Sequence, residues 1–375
     1  MANAIINTGV LVGTFWTLGE LLGHKGPNPD KQTTVVLAVG NAPNAGGSVP
    51  HVALWDKYGN RIGQFKGDED GHIDDSTIKT ITINNDQNGG KPAQPEYISV
   101  VMHEKDAICL SAVIASGNGA DWTWTGDLGY TCDAQWYPSQ FPIGNSNNPP
   151  RCVWLDADHT HGIIAKGLSL HIRDFTGDPD LVEQYKQDQR RLCQNSARMI
   201  FQPEPILPDT VIPFFKPPLS YNKAEDGNSG GALASPDQGI DRKTRGYPDF
   251  TDMSIHDTKK RHARDAKVMG RNVQGMKNNR PGHLIISNMP GNSAKELCEH
   301  PRSLGADFVS TVEGTYCDME TGKWWYLCGQ EYRQNCFDLE KQALRHGSTT
   351  TKRGQKEVAN KKYKTCEEWA PKKQK

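Results

Sequence analysis

Nine cysteines constrain this chain more than any other feature. Cys109, Cys132, Cys152 and Cys193 lie in the first half. Cys298, Cys317, Cys328 and Cys336 crowd into the second, and Cys366 stands apart near the end. No pair has the C-x-x-C spacing that a zinc ribbon, a redox dithiol or a c-type haem site requires. Two disulfide-bonded groups are the economical alternative, and disulfides persist in oxidising compartments. The expected localisation is therefore extracellular. Four cysteines allow three pairings in each half, and all stay open here.

At 375 residues, one large domain or two moderate ones are allowed. With 35% hydrophobic residues, 37 Gly and 23 Pro, the chain can bury a core yet leave much of itself in loops. A net charge of −1 gives no global attraction to nucleic acid. No apolar run is long enough to cross a bilayer, so no stable membrane span is expected. Residues 1–32 form an apolar N-terminal segment. Its run from Ile5 to Leu22 has no Lys or Arg before it and is interrupted by Glu20, unlike a clean signal peptide.

Residues 33–178 read as a β-sandwich domain. The strands expected are Thr33–Val39, His51–Trp55, Ile78–Asn84, Glu96–Met102, Ala107–Ala115, Cys152–Leu155 and Ile163–Phe175. They are short, rich in Val, Ile and Thr, and separated by Gly, Asn, Asp and Pro clusters. Such spacing suits an antiparallel sandwich. The run AICLSAVIA at 107–115 is apolar almost throughout, as in a strand covered on both faces. A helix is expected next, with Asp178 as N-cap, Pro179 at its first position and Leu181–Leu192 continuing. Residues 179–282 as a whole read as this helix followed by an irregular linker or insertion, which carries the basic run Lys259–Arg264.

Order returns at His283–Ser287. Ser293-Ala294-Lys295-Glu296 is a capping-box pattern that opens a short helix bearing Cys298. Residues 283–340 form a cysteine-rich region, expected to pack on the sandwich, with Trp324, Trp325 and Tyr326 between its cysteines. Residues 341–375 hold eleven Lys/Arg against three Glu and read as a basic tail. The fold class is thus mainly β, an antiparallel β-sandwich with a few short helices and a disulfide-bonded C-terminal region.

Two blocks carry a resemblance. One is DAICLSAVIASGNGADWTWTGDLGYTCDAQWYPS (106–139) with CVWLDADHTHGIIAKGLSLHIRDF (152–175). The other is HLIISNMPGNSAKELCEHPRSLGADFVSTVEGTYCDMETGKWWYLC (283–328) with NCFDL (335–339). Together they resemble a family of secreted, cysteine-containing proteins of filamentous fungi. That family has no established activity, so the resemblance implies a compartment and supplies no mechanism. The long basic insert departs from it.

Several motifs bear on chemistry. The string Gly227-Asn228-Ser229-Gly230-Gly231-Ala232-Leu233 resembles the nucleophile loop of trypsin-like proteases, where glycines free backbone N–H groups to form an oxyanion hole. No His before Ser229 has that family's context, and the strands that should follow it are missing. A flexible Gly/Ser loop is the plain alternative. Asp156, Asp158, His159 and His161 alternate oxygen and imidazole ligands that suit calcium or another divalent metal. The same residues also build metal-free turns. The acidic loop 67–75 fails the EF-hand template at its first and twelfth positions. Carboxylate pairs such as Asp106 with Asp127 would serve a glycosidase only across a cleft. Trp122, Trp124, Trp136 and Tyr137 gather around Asp127 and offer either a binding face or a lid on the core.

These observations favour a secreted, disulfide-stabilised, effector-like binding protein that recognises a host protein or a glycan through Trp122, Trp124, Asp127, Trp136 and Tyr137. No catalytic residue is assigned. An extracellular hydrolase, either protease-like through Ser229 or a glycosidase, is the alternative.

Overall fold

The computed structural model describes residues 31–203, apart from short segments at 57–59, 68–70, 88, 90–94, 118–119, 141–148, 176–178, 189–191 and 193–197. It also describes 220–222, 233–236, 277–345 and 361–371. The chain divides into two units, Met1–Arg271 and Asn272–Lys375.

The first unit is a sandwich of two antiparallel sheets. Its strands are β1 (Gln32–Val39), β2 (His51–Trp55), β3 (Arg61–Phe65), β4 (Ile78–Asn84), β5 (Tyr97–Val101), β6 (Ile108–Gly117), β7 (Ala120–Thr125), β8 (Trp136–Tyr137), β9 (Cys152–Leu155), β10 (Gly167–His171) and β11 (Met199–Gln202). One sheet runs β8–β9–β6–β1–β4, with β7 also paired to β6. The other runs β11–β10–β5–β2–β3. The sheets meet through alternate residues, as a period of two demands. Val113 and Ala115 of β6 and Trp122 and Trp124 of β7 face Leu170 of β10 across the interior. Trp124 spans the gap, its Nε1 lying 3.2 Å from Met199 Sδ and its ring 6.4 Å from Phe201. The other face of the first sheet is also buried at Val36, Ala38, Ala112 and Ile114. That explains the unbroken apolar run of β6, whose residues are nearly all buried.

The expected strand Ile163–Phe175 is shorter. Only Gly167–His171 pairs, and Ile172–Phe175 turns into a 3₁₀ helix. The cause is a buried charge cluster. His171 Nδ1 lies 2.8 Å from Asp174 Oδ2, and its Nε2 lies 3.0 Å from Glu96 Oε1. Residues three apart face each other on a helical turn but point to opposite sides of a strand, so this contact requires the turn. Burial alone would push the His171 imidazole down. Asp174 and then Glu96 override it and hold the group above its ordinary value.

Helix α1 is Gly126–Thr131 and α2 is Pro179–Gln187, which begins at the proline as expected. Its expected cap, Asp178, lies outside the described residues. The stretch 179–282, expected to be irregular after its helix, contributes β11 to the second sheet. Ser220–Asn222 and Leu233–Pro236 also pair antiparallel.

The second unit is built on a mixed sheet. Its strands are β12 (His283–Ser287), β13 (Asp307–Ser310), β14 (Thr315–Asp318), β15 (Lys323–Tyr326), β16 (Cys336–Asp338), β17 (Ala343–Arg345) and β18 (Thr365–Trp369). The order is β15–β14–β13–β12–β18, with β12 parallel to both β13 and β18. Helix α3 (Ala294–Glu299) makes the crossover between parallel neighbours. Ser293 caps it by accepting from Glu296 N at 3.0 Å, as the capping-box pattern requires. Residues 341–375 depart from the expected tail, since they supply β17 and β18 and bury Trp369. Lys361 explains part of this. Its ammonium lies 2.9 Å from buried Asp307 and also contacts buried Asp318, so a charge that looks solvated in the sequence is drawn into the fold. Tyr363 adds a hydrogen bond to Asp307 at 2.7 Å.

The disulfides are Cys109–Cys152, Cys298–Cys317 and Cys328–Cys336. Cys132 is also disulfide-bonded, Cys193 lies outside the described residues, and Cys366 is free and exposed. The four cysteines between 298 and 336 thus pair among themselves. Replacing both Cys298 and Cys317 with Ala is expected to lower unfolding free energy by about 2–4 kcal/mol. An unchanged denaturant midpoint would contradict that. The raised His171 also sets a pH dependence. Its contribution is fully present below the ordinary value of 6.5 and fades as pH rises through the higher folded value. The stability difference between wild type and His171→Gln should therefore be larger near pH 6 than near pH 9, and an equal difference at both would refute it.

Candidate functional site

The aromatic cluster expected as a surface is inside the molecule. Trp122, Trp124 and Trp136 are each 1% exposed and Tyr137 is 0% exposed. Pairing of β7 with β6 turns Trp122 and Trp124 toward the opposite sheet. Close packing holds this region. A Cβ on Gly126 would sit 2.0 Å from the Arg151 carbonyl oxygen, and one on Gly129 would sit 3.1 Å from the Trp124 ring. Asp127 is partly exposed, but its Oδ1 accepts from Arg151 Nη1 at 2.9 Å. The Arg151 guanidinium in turn lies 4.2 Å from the Tyr130 ring and 5.1 Å from Trp136. These side chains brace the sandwich, and Trp122, Trp124, Trp136 and Tyr137 present no open aromatic face.

The proposed metal ligands serve a turn. Asp156 is buried, and its Oδ2 accepts from both N and Oγ1 of Thr160 at 2.6 Å. Burial pushes its carboxyl up, against the Thr160 bond. His159 lies in a left-handed conformation and its Nδ1 is 3.0 Å from the Ile163 carbonyl oxygen, so that nitrogen carries the donated proton. His161 is also left-handed, with φ of 53°. Asp158 donates its own N–H to Asp156. The four residues share a turn but do not converge, and no group of three or more candidate ligands gathers among the described residues. In the acidic loop, Asp75 accepts from the N–H groups of Asn44 and Gly46. Ser229 lies outside the described residues.

An open aromatic row does exist, in the second unit. It sits on β15, a strand at the end of the sheet path. Alternation divides the sequence Trp324-Trp325-Tyr326 between two faces. Trp325 turns inward, 5.9 Å from the Tyr316 ring, which itself stacks on Phe337 at 3.9 Å. Trp324 and Tyr326 turn to the other face, with ring centroids 5.2 Å apart and planes at 89°. Tyr332 stacks on Tyr326 at 4.2 Å with an interplanar angle of 8°. Tyr326 is 40% exposed, a rare state for a large apolar side chain among the described residues.

Two disulfides position this row. Cys317 is the register partner of Trp324, and its bond to Cys298 ties α3 against the same face. Helix α3 then supplies polar neighbours. Trp324 Nε1 donates to Glu299 Oε1 at 2.9 Å, and Lys295 Nζ lies 4.8 Å from the Trp324 ring. The second bond, Cys328–Cys336, closes the loop that carries Tyr332. Within it, Gly329 N donates to the Tyr332 carbonyl at 2.9 Å. The β14–β15 turn is locked by Asp318, which accepts from Thr321 Oγ1 at 2.9 Å and from Glu320 N at 3.0 Å. The sequence places Trp324 and Tyr326 between cysteines without assigning them a role, and nothing in it singles out Tyr332, Glu299 or Lys295 as their neighbours. The available signal was the K-W-W-Y alternation between cysteines.

No family model matches this chain, and no curated protein matches it. Among solved structures, it resembles a crystal structure of a LOX variant and an anaerobic structure of a LOX in complex with arachidonate. Each similarity has a TM-score of 0.21 and 12% identity, and covers 25% of this chain and 14% of the other. The chain therefore spans only a small part of those proteins, and a likeness this slight carries no functional argument.

The buried position of Trp124 gives a direct test. Trp124→Ala should cost about 3–5 kcal/mol of stability, as expected for emptying a packed aromatic site. A loss below about 1 kcal/mol would mean that the ring is not part of the core.

Proposed function

We propose that this is an extracellular, disulfide-stabilised binding protein whose second unit docks on glycan. The row of exposed Tyr326 flanked by half-buried Trp324 and Tyr332 carries this reading. The negative ring faces of aromatics attract partially positive C–H groups, which line the faces of pyranose rings. The flanking Glu299 carboxylate can accept sugar hydroxyl hydrogens and the Lys295 ammonium can donate to sugar oxygens. A mixed apolar and polar surface of this kind suits a sugar better than a greasy protein patch. The rings are also held in place by Cys298–Cys317 and Cys328–Cys336, so little ordering entropy would be lost on binding. Four disulfide-bonded cysteines in this unit support an oxidising compartment.

The test is retention on insoluble cell-wall polysaccharide, scored with thermal stability. Trp324→Ala and Tyr326→Ala should each weaken binding by roughly 2 kcal/mol, as for a central aromatic contact. Because neither ring is fully buried, melting temperature should change little. Undiminished binding by both variants would sink the proposal. So would binding that survives complete enzymatic removal of glycan from the preparation, an outcome that would point to a protein partner instead.

A further inference from the structure

The outward face of the second sheet contains a concave site that nothing above uses. Strand register assembles it. In β2 and β3, Ala53 pairs with Gln64 and Trp55 with Arg61. In β2 and β5, His51 pairs with Val101, and His103 follows two residues later. Alternation places His51 and Trp55 opposite the core residues Val52 and Leu54. The result is a cavity of about 220 Å³ lined by His51, Trp55, Arg61, Gln64, Lys66 and His103, over an apolar floor. A single ordered water needs only about 10–15 Å³.

The chemistry of this lining is one-sided. Arg61 and Lys66 bring positive charge, and no carboxylate occurs among the described lining residues. The Arg61 guanidinium lies 5.8 Å from the Trp55 ring, and its Nη1 donates to Gln64 Oε1 at 2.5 Å. Trp55 is 1% exposed and forms part of the floor, its indole Nε1 having no hydrogen-bond partner among the described residues. His51 and His103 stack with centroids 3.9 Å apart and an interplanar angle of 24°.

We propose that this cavity binds a small oxyanion-bearing molecule, such as a carboxylate or a phosphate or sulfate ester, with Arg61 and Lys66 as its donors. An acceptor-rich anion meets both cations of a lining without a described carboxylate, which a neutral apolar ligand does not. Arg is well suited to this because its planar fork matches carboxylate and phosphate geometry. The two histidines add a proton linkage. His51 is pushed down to about 4 by burial, then by His103 and Lys66. His103 is pushed down by burial and by Lys166 and Lys66, against Glu104. Both are therefore uncharged near neutral pH, and a bound anion would favour their protonated forms. This site lies within the first unit and is independent of the aromatic row.

The experiment is an NMR titration of the intact protein with sodium glucuronate, inorganic phosphate, sulfate and, as a neutral control, glucose. The indole N–H of Trp55, assigned through Trp55→Phe, and the imidazole signals of His51 and His103 are followed. At least one anion should give saturable shifts, and glucose none. The anion that saturates at the lowest concentration identifies the oxyanion type. Affinity should fall about tenfold in Arg61→Gln and in Lys66→Gln, neither of which is a core side chain. For glucuronate and sulfate, which keep their charge over this range, it should rise between about pH 7.5 and pH 5, because proton uptake accompanies binding. No saturable shift with any anion up to about 20 mM would overturn the proposal, since binding weaker than that is worth only about 2 kcal/mol. Saturable shifts that persist undiminished in both variants would overturn it equally.

Discussion

Each unit depends on a buried charge whose partner comes from a distant or differently shaped part of the chain. In the sandwich, the 2%-exposed His171 is held between Asp174 on the following turn and Glu96 at the start of β5. In the second unit, buried Asp307 and Asp318 on neighbouring strands share Lys361, which arrives from beyond the last cysteine pair. Charges are expensive to bury, so either cluster tolerates only the arrangement that brings its partners together. That selectivity accounts for two departures from a simple pattern. One is the 3₁₀ turn that ends β10. The other is the recruitment of a basic, polar C-terminal segment as strand β18.

Around these clusters the aromatic residues divide into two roles. In the sandwich they fill space. Trp122, Trp124 and Trp136 are shielded by sheet pairing, close glycine contacts and the Arg151 guanidinium. In the second unit the sheet presents one face of β15 outward, and α3 covers only the part near Trp324. Oxidation matters for this exposure. The Cys298–Cys317 link joins the helix covalently to β14 beside Trp324, and Cys328–Cys336 closes the Tyr332 loop. The β15 row thus keeps contact with solvent, whereas the sandwich rings have lost it.

Local features of the fold were legible in the sequence. His51–Trp55, Ile78–Asn84, Cys152–Leu155 and His283–Ser287 are strands at the expected bounds. Ser293 caps its helix, and the crowded cysteines of the second half pair within their group. Each of these follows from short-range chemistry, such as β-branched alternation, a side-chain acceptor at a helix start, or thiols too close in sequence to find other partners. The site was less legible. Alternation says that Trp122 and Trp124 share a face, and equally that Trp324 and Tyr326 do. It does not say which face meets a second sheet and which meets solvent.

That distinction belongs to tertiary structure. By itself the sequence determined a β-rich, disulfide-bonded chain with no net charge to draw it to nucleic acid and no helix-length apolar span among its expected elements. The packing of the two sandwich sheets decided that one set of tryptophans is core. Cross-strand register decided that His51 and Trp55 of β2, Arg61 of β3 and Lys66 just beyond it line one cavity. The physical reason is the same in both cases. A strand's period of two fixes which side chains travel together, but only the elements that pack against each face decide whether those side chains lose water or keep it.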